Sequence, residues 1–316
     1  MAHVASKPRF SLVIPVYKNE SGISDLIERC EFLHKALSPI EFVFVVDGSP
    51  DNSLEFLRLG LANTQLRYKV INLSRNFGAI NAARWGVKYT ENTYMCVMAA
   101  DLQEPAELIV ELLSTLLNSD SDIVIARRIS RRDRFWDKVF SKFSWFIYRS
   151  LINAEVPRGG MDIFACSPKV VSVINKIDEQ NSSLFGLIFW VGFKKTFVDY
   201  HREKRSKGKS SWTFAKKVNY FFDSIYSFTD LPLRLLQVVG IFGISVSVLI
   251  AVSTVIEYLL NNIAVPGYTT LAILITFTTS SILTAIGVLG AYIWRTFNNS
   301  QLRPYAIEES VSSNPD

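Results

Sequence analysis

The chain has 316 residues, a hydrophobic fraction of 49% and a formal net charge of +5 at pH 7. This length allows a sizeable core or two domains, and a modest charge confined to a few clusters argues against a general nucleic-acid-binding protein. Cys30, Cys96 and Cys166 lie far apart and form neither a disulfide framework nor a CxxC zinc pattern. The first ten residues contain no apolar run, so we expect no signal peptide there and a cytosolic location for the soluble part.

Short apolar runs alternate with helical patterns along the N-terminal part of the chain. They predict buried strands over residues 10–16, 41–47, 67–73, 123–126 and one that ends at Ala100. A further strand is expected to begin near Asp162. Strands that recur every ~25–30 residues with helices between them indicate βαβ units and a mostly parallel sheet.

Two acids lie at the carboxyl ends of separate predicted strands. Asp47 ends the second strand, and Asp101 ends the run before Gln103 and Pro105, where a helix is expected to begin. Asp101 alone could equally cap that helix. Because open α/β sheets bind ligands at this edge, two acids there favour a site for a nucleotide-type ligand.

Two basic segments, residues 127–134 and 202–212, come later in the chain. A run of charges alone is most often a solvated face. Apolar stripes with helical spacing accompany them over residues 136–151 and 214–228. The first stripe fits equally a helix packed on the sheet and a helix at a membrane interface.

Two long apolar segments, residues 235–260 and 268–294, follow. Each is ~40 Å long as a helix, enough to cross a ~30 Å hydrocarbon core, and this length disfavours a buried hairpin of a soluble protein. Glu257 is the one charge, near the far end of the first segment. Lys and Arg flank the outer ends and are absent from the link 261–267, which predicts both termini in the cytosol. The polar residues after Arg303 are expected to be loose.

Four short motifs fall at the ends of predicted strands or in the loops that follow them. They are Ser11–Glu20, Val45–Asp51, Leu73–Gly78 and Ala100–Pro105. As a set they resemble family 2 glycosyltransferases of the GT-A fold, and among these the polyprenyl-phosphate glycosyltransferases. The resemblance covers essentially the whole chain and is strongest to the GtrB type of bactoprenol glucosyltransferase, which is related to dolichol-phosphate mannose synthases and ArnC-type transferases.

The resemblance implies an α/β architecture. A GT-A catalytic domain, Rossmann-like with a mostly parallel sheet, would be followed by interfacial amphipathic helices and a two-helix transmembrane hairpin. The expected parts are a cytosolic catalytic domain (1–211), a juxtamembrane amphipathic helix (212–233), two transmembrane helices (234–296) and a cytosolic tail (297–316). The protein would lie in the inner (plasma) membrane with the catalytic domain and both termini in the cytosol.

The resemblance also implies a reaction. It is the metal-dependent, inverting transfer of a hexose, in the first place glucose from UDP-glucose, to polyprenyl (undecaprenyl) phosphate at the cytosolic membrane face. A GDP-mannose-dependent polyprenyl-phosphate mannose synthase is the alternative enzyme, and a membrane-anchored nucleotide-sugar sensor is the alternative without turnover. Expected partners are the UDP-sugar, the lipid phosphate and the membrane, but not nucleic acid; a homo-oligomer remains open.

Site residues follow from the same resemblance, position by position. Donor positions are Pro15, Tyr17, Glu20, Asp47, Ala100, Asp101 and Arg127. Asp101 and Gln103 would hold the divalent metal, Mg²⁺ or Mn²⁺. Positions near the phosphates and the acceptor are Arg127, Arg202 and Arg205. The catalytic positions are Asp101, Arg205 and Asp162, the last as a base or as an orienting residue beside the acceptor.

Three positions depart from the family's pattern. The common Asp-x-Asp reads Ala99-Ala100-Asp101, so one metal or ribose ligand is missing. The double Asp of the second strand is Val46-Asp47, and a Lys often found in the basic loop is Ser211. These departures leave the class unchanged and bear on metal affinity and donor choice.

Overall fold

The computed structural model describes residues 10–90, 92–129, 157, 161–179, 184–201, 231–260 and 267–314. These residues form two compact units. The described residues up to 201 and those from 303 onward belong to the first unit, and those from 231 to 302 to the second.

An eight-stranded sheet lies at the centre of the first unit within the described residues. Its strands are β1 (Phe10–Val16), β2 (Ile40–Val46), β3 (Arg67–Leu73), β4 (Tyr94–Val97), β5 (Ile123–Arg128), β6 (Met161–Cys166), β7 (Lys195–Tyr200) and β8 (Glu308–Ser313). Their spatial order is β7-β5-β6-β4-β1-β2-β3-β8.

Most strands of this sheet run in one direction. β1 pairs in parallel with β2 and β4, β2 with β3, and β5 with β7. β6 is antiparallel to both β4 and β5, so β5 and β4 share a direction, and β8 is antiparallel to β3. The predicted α/β class is therefore confirmed. The sheet is mostly parallel, as predicted, but it is mixed because β6 and β8 run in the opposite direction.

Helices cover the two faces of the sheet. One buried cluster includes residues of α1 (Ile23–Leu37), α2 (Ser53–Ala62) and α4 (Ala106–Asn118). The other includes residues of α3 (Ala79–Val87), α5 (Pro168–Asn175) and α6 (Leu184–Trp190). Alternate residues of a strand enter opposite clusters, as Leu12 and Val13 do in β1. Burial on both faces explains why these strands read as continuous apolar runs.

The expectation that the residues after Arg303 are loose is wrong. Tyr305 and Ala306 are buried, and β8 pairs with β3 at the edge of the sheet. A polar composition was misleading here because an edge strand is held largely by backbone hydrogen bonds, whatever its side chains.

The second unit contains two long helices, α7 (Leu231–Leu259) and α8 (Tyr268–Ser300). Both apolar segments predicted as helices are thus helical. Within the described residues, the segment Phe277–Ser300 is long and apolar enough to span a membrane. A hairpin that spans the membrane twice remains a prediction, and the stripes at 136–151 and 214–228 lie outside the described residues.

Close packing of α3 on the sheet depends on Gly86. A Cβ at this position would lie 2.6 Å from Val13 Cγ1 and 2.8 Å from Val45 Cγ2, within the buried core. We expect Gly86→Ala to destabilise the first unit by about 1–3 kcal/mol through overpacking. The measurement is the thermal unfolding midpoint of the purified protein.

Gly60→Ala in α2 is the matched control. Its Cβ would meet only the Ile27 side chain at close range, with Ile27 Cδ1 at 2.2 Å, and the far end of that side chain can move. An equal loss of stability in both variants would contradict the specific role of Gly86.

Candidate active site at the carboxyl edge of the sheet

The sheet brings the predicted site residues that the structure describes to a single edge. Tyr17 and Asp47 directly follow β1 and β2, Asp101 follows β4, and Arg127 lies near the end of β5. Asp162 is the second residue of β6, which starts at this edge because it runs antiparallel to β4. Asp47 directly follows its strand as predicted, but β4 ends at Val97 and not at Ala100, so Asp101 lies in the loop beyond the strand. The roles of these residues remain predictions.

Asp101 lies in a turn and does not cap the helix that follows. β4 already ends at Val97, and the residue that precedes the first turn of α4 is Pro105. Leu102 has φ +56°, a left-handed conformation that is uncommon for a side chain of this kind. The Gln103 amide donates to Asp101 Oδ1 at 3.4 Å, and both side chains are partly exposed. The capping alternative for Asp101 is therefore excluded.

Asp47 is 1% exposed and holds the loop of residues 74–78, which follows β3. Its carboxylate accepts hydrogen bonds from the backbone amides of Phe77 at 2.7 Å and Gly78 at 2.9 Å and from Asn76 Nδ2 at 3.0 Å. A carboxylate is tolerated in a buried position when such donors surround it. Asp47 therefore fixes this loop at the ligand edge, and contact of its side chain with the nucleotide remains a prediction.

Gly48 permits the same loop to approach the end of β2. Its φ of +53° favours glycine, and a Cβ would lie 2.2 Å from the backbone carbonyl carbon of Arg75. Both its backbone conformation and the space around it thus require glycine at this position.

A junction of hydrogen bonds links the loops after β1 and β2. The Glu20 amide donates to Asp51 Oδ2 at 3.2 Å, and Glu20 Oε2 accepts from the Asn52 amide at 3.1 Å. Asn19 Nδ2 donates to the Ala100 carbonyl at 3.0 Å, which joins the turn of Asp101 to the same junction. Glu20, predicted as a donor ligand, thus also has a part in assembling the edge.

Asp51 belongs to this junction and was not assigned from the sequence. Its Oδ1 accepts hydrogen bonds from the hydroxyls of Ser49 at 2.6 Å and Ser53 at 2.7 Å. Burial acts to raise the pKa of Asp51, but the hydrogen bonds from Ser49, Ser53 and the Glu20 amide outweigh burial and lower the pKa. A signal was present in the sequence, because Asp followed two residues later by Ser is typical of an Asx turn.

Arg127 forms a two-point ion pair with Asp199 on the neighbouring strand β7. Arg127 Nε lies 2.5 Å from Asp199 Oδ1, and Nη2 lies 2.8 Å from Oδ2. The hydrogen bond from Arg127 lowers the pKa of Asp199, and the Arg127 pKa is raised. The two side chains are 48% and 42% exposed. Asp199 was not predicted because its register against β5 cannot be read from the sequence.

The other predicted residues lie at the end of β1 or after β7. Pro15 and Tyr17 are partly exposed at the end of β1. Arg202 and Arg205 lie outside the described residues, in the stretch that follows β7 and His201.

The family profile described as Glycosyl transferase family 2 matches residues 11–176, which include the loops of this edge from Tyr17 to Asp162. The chain belongs to this family. A glycosyltransferase of Synechocystis sp. is 33% identical over 299 residues, or 93% of this chain and 92% of the relative. A bactoprenol glucosyl transferase of Shigella phage SfII is 30% identical over 310 residues, or 97% of this chain and 100% of the relative.

Among solved structures, a mannosyltransferase from Pyrobaculum calidifontis, in complex with GDP-Man and Mn²⁺, matches with a TM-score of 0.46 and 10% identity. The match covers 89% of this chain and 88% of that one.

The predicted metal ligands of this glycosyltransferase supply an incomplete coordination shell. Asp101 and Gln103 offer a carboxylate and an amide oxygen, which are donor types suited to Mg²⁺ or Mn²⁺. Within the described ranges, no group of three or more His, Cys, Asp or Glu could hold a metal ion. These two residues therefore fit a metal only if the substrate supplies further ligands.

The lowered pKa of Asp51 predicts a pH-dependent contribution to stability. A carboxyl with a lower pKa in the folded state stabilises the protein fully above its unfolded pKa of about 3.9, and this contribution is lost as the pH falls through the folded pKa. We expect Asp51→Asn to unfold at a lower temperature than the wild type at pH 6, with a difference that shrinks below about pH 4.

Thermal unfolding of both proteins between pH 6 and pH 3 tests this expectation. Glu28→Gln, at an exposed position of α1, is the control and should show a difference near zero throughout. A difference for Asp51→Asn that stays constant down to pH 3 would show that its carboxylate charge is not responsible.

Proposed function

We propose that this glycosyltransferase transfers a hexose, glucose from UDP-glucose in the first place, to a polyprenyl phosphate at the cytosolic face of the plasma membrane. The observation that carries the proposal is the similarity to a bactoprenol glucosyl transferase along 97% of this chain and 100% of that relative. A match over the full length includes both the catalytic sheet and the apolar helices, so it favours a lipid-linked acceptor over a soluble one.

The donor would bind at the carboxyl edge of the sheet. Pro15 and Tyr17 offer a partly exposed apolar and aromatic surface for the base, beside the junction that contains Glu20. Asp101 and Gln103 would hold a divalent metal on the diphosphate. When bound, such an ion neutralises the negative charge that develops on the leaving group. With a single carboxylate in the set, we expect the metal to bind together with the donor.

The acceptor phosphate would be held by the arginines of this edge. Charge-assisted hydrogen bonds from a guanidinium suit a phosphate monoester. Arg127 donates to Asp199 through both Nε and Nη2. A phosphate bound by Arg127 would therefore displace the Asp199 carboxylate or share the guanidinium with it. Arg202 and Arg205 follow β7 and would contribute from the adjoining stretch. Because the acceptor is already anionic at pH 7, Asp162 would orient the acceptor or a basic neighbour rather than act as a strong base.

The apolar helices would keep the enzyme at the bilayer surface, where the lipid carrier exposes its headgroup. We propose that α7 and α8 form a hairpin that spans the membrane twice, with both termini cytosolic. The stripes at 136–151 and 214–228 would lie at the interface, where Lys and Arg meet anionic headgroups.

Product analysis is the direct test of this function. Membranes that contain the protein should transfer label from UDP-glucose to polyprenyl phosphate and release UDP. Direct attack of the phosphate oxygen on the anomeric carbon breaks the bond to the diphosphate and inverts the configuration, so an α-linked donor should give a β-linked lipid. The anomeric coupling constant in the NMR spectrum of the product measures this.

Other outcomes have distinct meanings in this assay. An α-linked product would contradict a single displacement. Labelling from GDP-mannose alone would favour a mannose synthase. Binding of a nucleotide sugar without any labelled lipid would favour a sensor, the reading that the missing acid at Ala99 suggests.

Asp101 gives the sharpest test of the proposed site. Asp101→Asn keeps the shape of the side chain but removes its charge, so transfer should fall by a factor of at least about 10² while the protein stays folded. Asp120→Asn is the matched control, because Asp120 is exposed and precedes β5 at the opposite edge of the sheet. Initial rates at saturating donor give the comparison. Near-normal transfer by Asp101→Asn would rule out its assigned role.

A further inference from the structure

Residues 303–314, here called the C-terminal segment, contact the loop that surrounds Asp47. β8 pairs with β3 along the edge of the sheet. Beyond this pairing, the Ile307 carbonyl accepts a hydrogen bond from the Ser74 amide at 2.9 Å. Ser74 is the first residue of the 74–78 loop, so the segment fixes the point where β3 passes into that loop.

The same segment packs against α3, which begins directly after the loop. Tyr305 is 6% exposed, and its ring centroid lies 5.5 Å from that of Trp85 in an edge-to-face arrangement. The guanidinium of Arg84 lies 4.2 Å from the Tyr305 ring centroid. An aromatic pair with one buried ring and a cation over that ring both stabilise such a contact.

Glu308 adds a polar contact on the exposed side of α3. Its Oε2 accepts hydrogen bonds from Trp85 Nε1 at 3.2 Å and from the Tyr89 hydroxyl. Burial, and then the hydrogen bond to Glu308, raises the pKa of Tyr89 to about 12, so this hydroxyl remains a donor at neutral pH. Trp85 of α3 and Tyr89 in the turn after α3 thus both donate to one carboxylate of the segment.

These contacts place the 74–78 loop between two attachments to one segment. The residue that opens the loop bonds to Ile307, and the helix that closes it packs on Tyr305 and Glu308. Between them, the amides of Phe77 and Gly78 donate to the buried carboxylate of Asp47. The distance of the loop from the end of β2 therefore depends on where the segment lies.

We propose that the C-terminal segment positions the 74–78 loop for donor binding, through Tyr305 and Glu308. These are positioning residues, because they act through α3 and the loop. The positioning of the 74–78 loop does not depend on which reaction the protein catalyses. The effect of this positioning on donor affinity rests on the function proposed above. Residues that follow both apolar helices in the chain would thus set the affinity for the nucleotide sugar.

Hydrogen exchange in the full-length protein without donor tests the structural part. The variants are Tyr305→Ala, which removes the ring, and Glu308→Gln, which removes the carboxylate and keeps its shape. We expect exchange of the peptide that contains Phe77 and Gly78 to become at least tenfold faster in Tyr305→Ala and several-fold faster in Glu308→Gln. Peptides of β1 should keep wild-type rates, which shows that the sheet remains folded.

Glu309→Gln is the matched control. This neighbouring carboxylate accepts a hydrogen bond from Asn72 of β3 at 2.7 Å, not from α3, so loop exchange should stay at the wild-type rate. Unchanged loop exchange in Tyr305→Ala, or equal acceleration in Glu309→Gln, would overturn the positioning role.

Steady-state kinetics test the consequence for the donor. In Tyr305→Ala the KM for the sugar nucleotide should rise about fivefold to tenfold, with a smaller change in kcat. Faster loop exchange with an unchanged donor KM would overturn the link to donor binding. If the wild type transfers no sugar from any donor, the proposed function fails, and the exchange result still decides the positioning of the loop.

Discussion

A carboxylate with almost no contact with water organises the ligand edge of this protein. Asp47 directly follows a strand that is buried along its whole length. Burial of its charge is tolerable only because backbone and side-chain N–H groups of residues 76–78 surround it. The loop after β3 is thereby drawn to the end of β2, in a space that Gly48 leaves open. The loops after β1 and β4 join the same edge through Asn19 and Glu20.

Much of this edge could be predicted from the sequence because it depends on residues that are adjacent in the chain. Apolar runs buried on both faces give parallel strands, and polar residues directly after them fall at one edge by topology alone. Asp47, Asp101 and Arg127 therefore came to the expected edge. The two predicted apolar helices were also found, since length and apolarity suffice to identify them.

Contacts that depend on register or on distant pairing could not be predicted. Asp199 meets Arg127 because β5 and β7 align in parallel at that position. The pairing of β8 with β3 joins residues about 240 positions apart. The sequence of β8 lacks the alternation of apolar and polar residues that would predict a strand. Asp47 was recognised as an acid at the ligand edge. Its hydrogen bonds to the 74–78 loop could not be predicted, because they depend on how closely two loops approach in the folded protein and not on a residue spacing in the sequence.

The position of β8 after both apolar helices also sets an order of events during biosynthesis. β3 has β2 on one side, and its other edge is covered by residues that leave the ribosome after α7 and α8. Until then this edge exposes unpaired N–H and C=O groups to any other strand. The catalytic sheet is therefore complete only after both apolar helices have been synthesised. Until β8 pairs with β3, the nascent protein is exposed to edge-to-edge association with other strands.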